Sequence, residues 1–151
     1  MPRELGNQGR PIGAYATSAT AVGTTITAVT GLSLTVPTAG TWRLEGRISL
    51  VVVGAPTAFT LTLSPTSAPT ITSMRVLCKR LDATTAWTDS FLTAFNTASA
   101  TSALTAQTYW FMLDGAMLST TSGTYSVSMT RTGGTSATTA IGDFILATRI
   151  D

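Results

Sequence analysis

The chain has 151 residues but no histidine and only one cysteine. Without histidine, the Ser-His-Asp and Cys-His catalytic arrangements and all imidazole-based metal sites are excluded. A single cysteine forms neither an intrachain disulfide nor a thiolate zinc site, so we expect Cys78 to be a small buried hydrophobe on the same strand face as Met74 and Val76. These two shortages exclude the commonest nucleophilic and metal-dependent chemistries.

Charged side chains are also few, at 11% of the chain, against about a quarter in an ordinary soluble domain. The net charge is +2, and only Arg75, Lys79 and Arg80 approach a basic cluster. A protein that binds nucleic acid normally has a clustered basic face, so we expect no direct contact with nucleic acid. A low surface charge instead suggests that neighbouring proteins cover part of the surface.

Long apolar runs are missing as well. No run reaches the roughly 20 residues of a membrane-spanning helix, and the N-terminal sequence MPRELGNQGR lacks the apolar core of a signal peptide. We therefore expect a protein that has no membrane association and is made in the cytoplasm.

The acidic residues offer one candidate for catalysis, a pair of carboxylates of the kind that hydrolyses sugars. Glu45 and Asp114 each precede a glycine in two similar stretches of the chain. A structural role is favoured, because Arg43 and Arg47 flank Glu45 on the same strand face and predict ion pairs of modest strength. We therefore predict that the protein is not an enzyme.

No metal or other cofactor is expected either. A calcium site built from Asp82, Asp89 and Asp143 is the alternative, but these acids do not follow the spacing of a calcium-binding loop. A phosphate-binding GxxxxGK[ST] loop is missing, since the pair Gly133 and Gly134 is typical of a turn.

Threonine is abundant, at roughly a fifth of all residues, and it favours β-strands with an uncharged polar face. Short segments of alternating apolar and polar residues are separated by turn signals about every ten residues. We predict an all-β protein: a single jelly-roll β-sandwich over residues 14–151, preceded by an extended N-terminal arm over residues 1–13. Turns at residues 54–57 and 120–123 are expected to close hairpins onto the segments that follow them.

Two stretches, residues 41–53 and 109–119, organise this pattern because their apolar faces match. The matching residues are Trp42, Leu44 and Ile48 in the first and Phe111, Leu113 and Met117 in the second. Their outer faces differ, since the first carries Thr, Arg, Glu and Ser and the second is mainly apolar. The outward residues of the second are Trp110, Met112, Asp114, Ala116 and Leu118.

Apolar residues on both faces of a strand indicate burial on both faces, against another subunit or beneath a loop. The predicted subunit interface consists of Trp110, Met112, Leu118, Ile145, Val51 and Val53. The alternative is that residues 96–106 cover the same face within one chain. The interface is favoured, because a jelly roll of this size has little chain to spare for a cover.

Residues 1–13 are polar, contain Gly and Pro, and show no periodicity. An ordered segment of this composition needs a surface to lie on, so we expect the arm to bind a neighbouring subunit or a different protein. The predicted contact residues are Arg3, Glu4, Leu5 and Arg10.

Three segments carry a family resemblance: TWRLEGRISL at 41–50, YWFMLDGAML at 109–118 and DFILATRI at 143–150. They resemble small jelly-roll domains of tailed-phage virion proteins, the tumour-necrosis-factor-like trimers found as head decoration proteins and in fibre tips. The resemblance implies a homotrimer without catalytic activity on the outer surface of the virion, after synthesis in the host cytoplasm. Residues 1–40 match no motif of that family.

Within that family, a head decoration (cement) protein is favoured over a fibre tip, because the sequence shows no coiled-coil, collagen-like or β-helical stalk. Such a protein would bind the major capsid protein of the assembled shell, and its arm would grip the shell or an adjacent trimer. One alternative is a receptor- or carbohydrate-binding head with an aromatic groove near Trp87, Tyr125 or Trp42. The other is a glycoside hydrolase with paired acids in a cleft.

Overall fold

The computed structural model describes residues 9–80, 89–99 and 103–151, and this part of the chain contains ten β-strands and no α-helix. The strands are β1 (Pro11–Tyr15), β2 (Thr27–Val36), β3 (Gly40–Val53), β4 (Pro56–Ser67), β5 (Ile71–Arg80), β6 (Ser90–Leu92), β7 (Thr108–Ser119), β8 (Gly123–Gly133), β9 (Ser136–Thr139) and β10 (Phe144–Arg149). Nothing in these ranges is a helix with the length and apolarity that a membrane span requires. The all-β prediction is confirmed.

The strands form two antiparallel sheets. The larger sheet has the order β1-β10-β3-β7-β5-β6, with β9 also beside β3, and the smaller has the order β2-β8-β4. β10 pairs with residues 42–47 of β3, and β9 pairs with residues 50–53 of β3. β10 and β9 therefore lie one after the other along the same edge of β3. The sheets pack face to face as the predicted β-sandwich.

The core between the sheets follows from the period-two patterns. The inward residues that the sequence predicted for β3 and β7 are all buried: Trp42, Leu44, Ile48, Phe111, Leu113 and Met117. Phe59 of β4 stacks on Phe111 across the gap between the sheets, with ring centroids 5.1 Å apart. Burying each large apolar side chain contributes about 1.5–3 kcal/mol. Cys78 is fully buried in the same core, as expected.

Both predicted hairpins are wrong. β3 and β4 are consecutive in the chain, but β3 belongs to the larger sheet and β4 pairs with β8 in the smaller one. β7 and β8 are separated in the same way. A short turn at the end of a sandwich can cross between sheets or close a hairpin, and both arrangements bury the same alternating residues.

The two similar stretches of the sequence are neighbours at the centre of the larger sheet. β3 and β7 run antiparallel, and Glu45 lies directly opposite Asp114. Their matching patterns therefore build two adjacent strips of one core rather than two copies of a hairpin.

Around that pair, each inward glycine lies opposite a leucine of the partner strand. Gly46 lies opposite Leu113, and Gly115 lies opposite Leu44. A Cβ atom on Gly115 would overlap the carbonyl oxygen of Arg75 in β5. Glycine is therefore required here by the close approach of a neighbouring backbone.

The sandwich begins earlier in the chain than predicted. β1 is an edge strand that pairs with β10, so that Ile12 lies opposite Ala147. Residues 11–13 therefore belong to the sandwich and not to the arm. Their composition did not indicate a strand, because the partner that stabilises it lies at the other end of the sequence. Three of the predicted arm residues lie outside the described part of the chain: Arg3, Glu4 and Leu5.

Candidate functional site on the larger sheet

The outward side chains of the larger sheet form a surface that we call the outer face. Five of the six predicted interface residues lie on it: Trp110, Leu118, Val51 and Val53 are exposed, and Met112 is half-buried. The exposed fraction of Trp110 is 37%. Trp110, Met112 and Val51 are neighbours on this face, whereas Leu118 lies eight residues from Trp110 along β7. A contiguous exposed apolar patch is typical of a surface that binds another molecule. The structure places these five residues on the outer face, and their part in a subunit contact stays a prediction.

Ile145 is the exception, because it is 1% exposed and lies in the core. The outward residues of β10 are Phe144 and Leu146, both half-buried. The sequence of β10 is apolar on both faces, so the alternation of its residues does not show which set points into the core and which points outward. Pairing sets the direction, since Ile145 lies opposite the inward Gly46.

The strand register extends the apolar part of the outer face across the sheet. One row contains Tyr15, Phe144, Arg47, Met112 and Lys79. The next row contains Leu146, Glu45, Asp114, Leu77 and Phe91. Sequence reasoning missed the apolar members of these rows outside β7, because each strand alone carries only one or two of them.

The charges of the outer face form local pairs rather than a field of one sign. Arg43 lies 3.0 Å from Glu45 and 3.5 Å from Asp114, so one guanidinium bridges carboxylates of two neighbouring strands. Both carboxylate side chains are 44% exposed, and such exposed pairs contribute about 1 kcal/mol or less. The guanidinium of Arg47 lies over the ring of Trp110, 4.5 Å from its centroid, in a cation–π contact.

This arrangement does not suit sugar hydrolysis. A glycosidase needs one carboxyl group that keeps its proton beside one that is ionised, and burial usually creates that difference. Glu45 and Asp114 share one guanidinium and are equally exposed. Their surroundings are therefore those of structural ion pairs, which is the role predicted for Glu45.

A trough runs along β3 on the outer face. Two adjoining depressions, of about 490 Å³ and about 340 Å³, share Arg47 and Phe144. Apolar side chains of β7 and β10 flank the charged side chains of β3. The flanking residues are Trp110, Met112, Phe144 and Leu146.

The turn between β9 and β10 lines one end of the trough, and a buried carboxylate holds it in place. Asp143 accepts hydrogen bonds from Ser49 Oγ at 2.8 Å and from the N–H of Ala140 at 3.3 Å. Burial raises the pKa of Asp143, and these hydrogen bonds and the charge of Arg47 oppose part of that rise. The contact explains why Ser49, expected on the solvated face, is buried. The turn presents Ile141 with 70% of its surface exposed.

The segment 96–106, the alternative cover for the outer face, lies elsewhere in its described part. The N–H of Asn96 donates to the carbonyl of Leu63 at 2.9 Å, and the N–H of Leu104 donates to that of Pro56 at 3.0 Å. Both carbonyls belong to β4 at the edge of the smaller sheet. These residues therefore satisfy hydrogen-bonding groups of an edge strand and leave the outer face open.

The aromatic groove expected for a receptor-binding head is not found at Tyr125, which is buried in the core. Trp42 is 3% exposed and borders a separate cleft at one end of the sandwich, and Trp87 lies outside the described residues. On the outer face, Trp110 lines the trough and is 37% exposed, and Tyr15 and Phe91 are exposed as well.

The remaining candidates for chemistry have structural surroundings. Burial raises the pKa of the Cys78 thiol to about 12, and the charge of Asp89 adds to the rise. Asp89 lies 3.9 Å from Lys79, while Asp82 lies outside the described residues. Within residues 9–80, 89–99 and 103–151, no three His, Cys, Asp or Glu side chains are grouped as metal ligands.

Comparison with known proteins gives no family assignment. Neither a family model nor a curated protein matches this chain. The function is therefore inferred from the side chains that the molecule exposes.

Proposed function

We propose that this protein is a non-catalytic assembly protein, a homotrimer that associates through the outer face and decorates the outside of an assembled phage head. The observation that carries the proposal is the exposure of Trp110 and Leu118 on a sheet face that the described part of segment 96–106 leaves open. Tryptophan is enriched at the energetic centres of protein interfaces, where truncating it costs about 2 kcal/mol or more.

The composition of the whole outer face supports self-association. Aromatic, Met and Arg side chains are enriched in interfaces, and Trp110, Met112, Phe144 and Arg47 combine them in adjacent rows. The charges have both signs and are locally paired, so copies of the chain can meet without a field of one sign between them. The three-fold symmetry comes from the resemblance to tumour-necrosis-factor-like trimers.

Attachment to a phage head follows from the same resemblance and from the N-terminal arm. The proposed contacts with the major capsid protein or an adjacent trimer are made by Arg3, Glu4, Leu5 and Arg10. Arg10 is exposed just before β1. A protein that binds only the assembled shell stabilises that state by mass action, and three arms per trimer multiply individually weak contacts.

Light scattering on the purified protein tests self-association. We expect the mass of three chains, with dissociation only on strong dilution. A mass of one chain at every accessible concentration would remove the support that Trp110 and Leu118 give to the proposal.

Co-sedimentation with shells that lack this protein tests attachment. We expect saturable binding and a higher resistance of the shell to rupture. Removing residues 1–10 should weaken shell binding by about tenfold or more, because three contacts are lost together, with little effect on the melting temperature of the trimer. Equal effects on both would contradict the role of the arm. No co-sedimentation would end the decoration proposal and leave self-association standing.

The trough supports a second candidate, a receptor- or carbohydrate-binding head domain. A pocket with an aromatic wall and a few convergent polar groups is the usual form of a small-ligand site. Trp110 lines one depression of the trough, and Glu45 and Asp114 line the adjoining one, four residues further along the strands. A glycan array on the purified protein tests it. Binding by a monomer that is lost in both Trp110→Ala and Glu45→Gln would favour this candidate over the trimer.

A further inference from the structure

A second concave site lies at the end of the sandwich where the first residues of β1 approach the turn between β2 and β3. It is a cleft of about 740 Å³. Its lining residues are Arg10, Pro11, Ile12, Gly13, Pro37, Thr38, Trp42 and Arg149. It shares no lining residue with the trough, and self-association through the outer face does not use it.

The apolar part of this cleft is rigid. Two proline rings, Pro11 and Pro37, contribute to it, and each ring fixes the backbone that carries it. The indole of Trp42 is also held, because its N–H donates to the carbonyl of Thr38 at 3.3 Å. Trp42 is 3% exposed, so its indole borders the cleft with a small apolar edge while most of the ring packs in the core. A preformed site of this kind binds an apolar group at a low cost in ordering.

The charged part of the cleft consists of two guanidinium groups. Arg149 Nε donates to Asp151 Oδ1 at 2.7 Å, and Asp151 Oδ2 accepts from the N–H of Thr41 at 2.9 Å. This chain of contacts fixes Arg149 and leaves its two terminal nitrogens without a partner among the described residues. Arg10 has no partner in the described part of the chain either. Guanidinium groups bind carboxylates through paired, charge-assisted hydrogen bonds.

The position of Arg149 depends on a glycine at the start of β3. Gly40 has φ of +151°, and a Cβ atom there would lie 2.8 Å from Arg149 Nε. Any larger residue would therefore push the guanidinium away from its place beside the cleft. The place of the Arg149 guanidinium beside the cleft therefore depends on the absence of a side chain at Gly40.

The geometry points to a binding site for an acidic peptide segment of a partner protein, with an apolar side chain seated against Pro11, Pro37 and Trp42. A carboxylate of the same segment is bound by Arg10 and Arg149. A peptide fits better than a fatty acid, because the cleft is lined on one side by β1. This strand has a strand partner on one side only. Pro11 has no N–H, but the remaining backbone groups on the free edge can pair with a peptide and are of no use to an alkyl chain.

Fluorescence anisotropy with a labelled peptide tests the inference on the full-length protein. The probe is fluorescein-labelled Gly-Ser-Phe-Glu-Glu-Leu-Gly-Ser, and its neutral counterpart has glutamine at both acidic positions. We expect saturable binding of the acidic peptide and an affinity about tenfold or more lower for the neutral peptide, since charge-assisted hydrogen bonds are lost. The variant Arg10→Gln should lower the affinity for the acidic peptide by a similar factor.

Two further variants separate the cleft from general charge attraction. Arg75→Gln changes the same charge on the outer face and should leave peptide affinity unchanged, whereas Thr38→Trp fills the cleft without changing charge and should weaken binding. Equal affinities in Arg10→Gln, Thr38→Trp and Arg75→Gln would overturn the inference, as would the absence of saturable binding. Binding that emerges only after removal of residues 1–8 would mean that this chain fills its own cleft, and would overturn a partner site as well.

The test is independent of the proposed trimer. A variant with Trp110→Glu, which is designed to prevent self-association, should bind the acidic peptide with the affinity of the original protein. Loss of peptide binding in that variant, with the fold intact, would contradict a cleft that belongs to a single chain. A monomeric original protein that still binds the peptide would leave the cleft standing and remove only the trimer.

Discussion

The larger sheet turns aromatic, aliphatic and charged side chains outward, whereas the smaller sheet turns outward almost only threonine and serine. The hydroxyl residues on the face of the smaller sheet that points away from the core include Ser33, Thr35, Thr60, Thr62, Ser64, Thr124, Ser126, Ser128 and Thr130. Thr62, Ser126 and Ser128 at its centre are nevertheless buried. Several residues of this set pair across strands: Thr35 with Thr124 and Thr60 with Thr130, each at 2.7 Å between hydroxyl oxygens. No charged or large apolar residue interrupts that set.

The inner faces of the two sheets are alike, since both consist of buried aliphatic and aromatic residues. The fold therefore requires the inner faces, and the difference outside reflects what each sheet meets. Threonine supplies strand propensity without charge or a large apolar surface. Trp110 also favours a strand and contacts Arg47, but it leaves 37% of a large apolar side chain exposed, so the larger sheet is the side on which we expect the partner.

One glutamate on each face gives the largest expected contrast. Trp110→Glu removes the central ring and buries a charge in the proposed contact, so self-association should weaken by about a hundredfold or more. Thr35→Glu places the same charge on the smaller sheet and should leave self-association unchanged. Sedimentation equilibrium measures both, and urea unfolding checks that both variants are folded. Equal weakening by the two variants would show that the outer faces do not differ in role.

Polar contacts in the two sheets should also differ in how much they stabilise the fold. The expected difference is smaller than the change in self-association described above. Asp143→Ala leaves the buried Ser49 hydroxyl and the Ala140 N–H without an acceptor, so the free energy of unfolding should fall by about 1–3 kcal/mol. Thr60→Ala removes a half-buried hydroxyl pair and should cost less than about 1 kcal/mol. Urea denaturation at one fixed protein concentration compares them. A reversed order would mean that Asp143 does not hold its turn.

A pH series separates two aspartates on either side of β10 whose pKa values shift in opposite directions. The unfolded pKa of an aspartate is about 3.9, and burial raises the folded pKa of Asp143. Its contribution to stability is complete below the unfolded pKa and falls as pH rises through the folded pKa. The hydrogen bond from Arg149 lowers the pKa of Asp151, so that contribution is present above the unfolded pKa and falls as pH falls.

The measurement is the difference in unfolding free energy between the original protein and each Asp→Asn variant. For Asp143→Asn the difference should decrease as pH rises from about 4, and for Asp151→Asn it should decrease as pH falls from about 4. Slopes of the same sign would contradict the opposite surroundings of the two carboxylates.

The smallest effect is expected for the ion pairs of the outer face. Arg43→Gln leaves Glu45 and Asp114 as like charges on neighbouring strands, but all three side chains are well exposed. The free energy of unfolding should fall by about 0.5 kcal/mol or less, and added salt should reduce the difference. Urea unfolding at low and high salt measures it, and a cost above about 2 kcal/mol would mean that these charges are shielded from water.

Much of the larger sheet is predictable from the sequence where the two sides of a strand differ chemically. β3 alternates apolar with charged residues, and the exposed and buried sets are assigned correctly for all but Ser49. That error arises because Asp143, which buries the hydroxyl, lies far away in the sequence. β10 is apolar on both sides, so the direction of Ile145 becomes clear only once β3 is known as its neighbour.

Strand pairing is the part of the fold that the sequence does not provide. The turns after β3 and β7 have hairpin composition but connect strands in different sheets. The cleft beside Arg10 was missed for a related reason, since it joins the first strand, a turn after β2 and the last strand. A pattern within a short stretch of sequence does not predict a site whose residues come from both ends of the chain.

In the β3–β7 pair, the glycine of each strand lies opposite a leucine of the other. This arrangement has a consequence for folding kinetics. A slip of the pair by two residues in one direction would set Gly46 opposite Gly115 and leave a void, and in the other it would set Leu44 opposite Leu113. The native register is thus selected strongly. However, β3 and β7 are separated by nearly half of the chain, so a long loop must close before the two strands can pair in this register. We therefore expect slow refolding, limited by the search for one central strand pair.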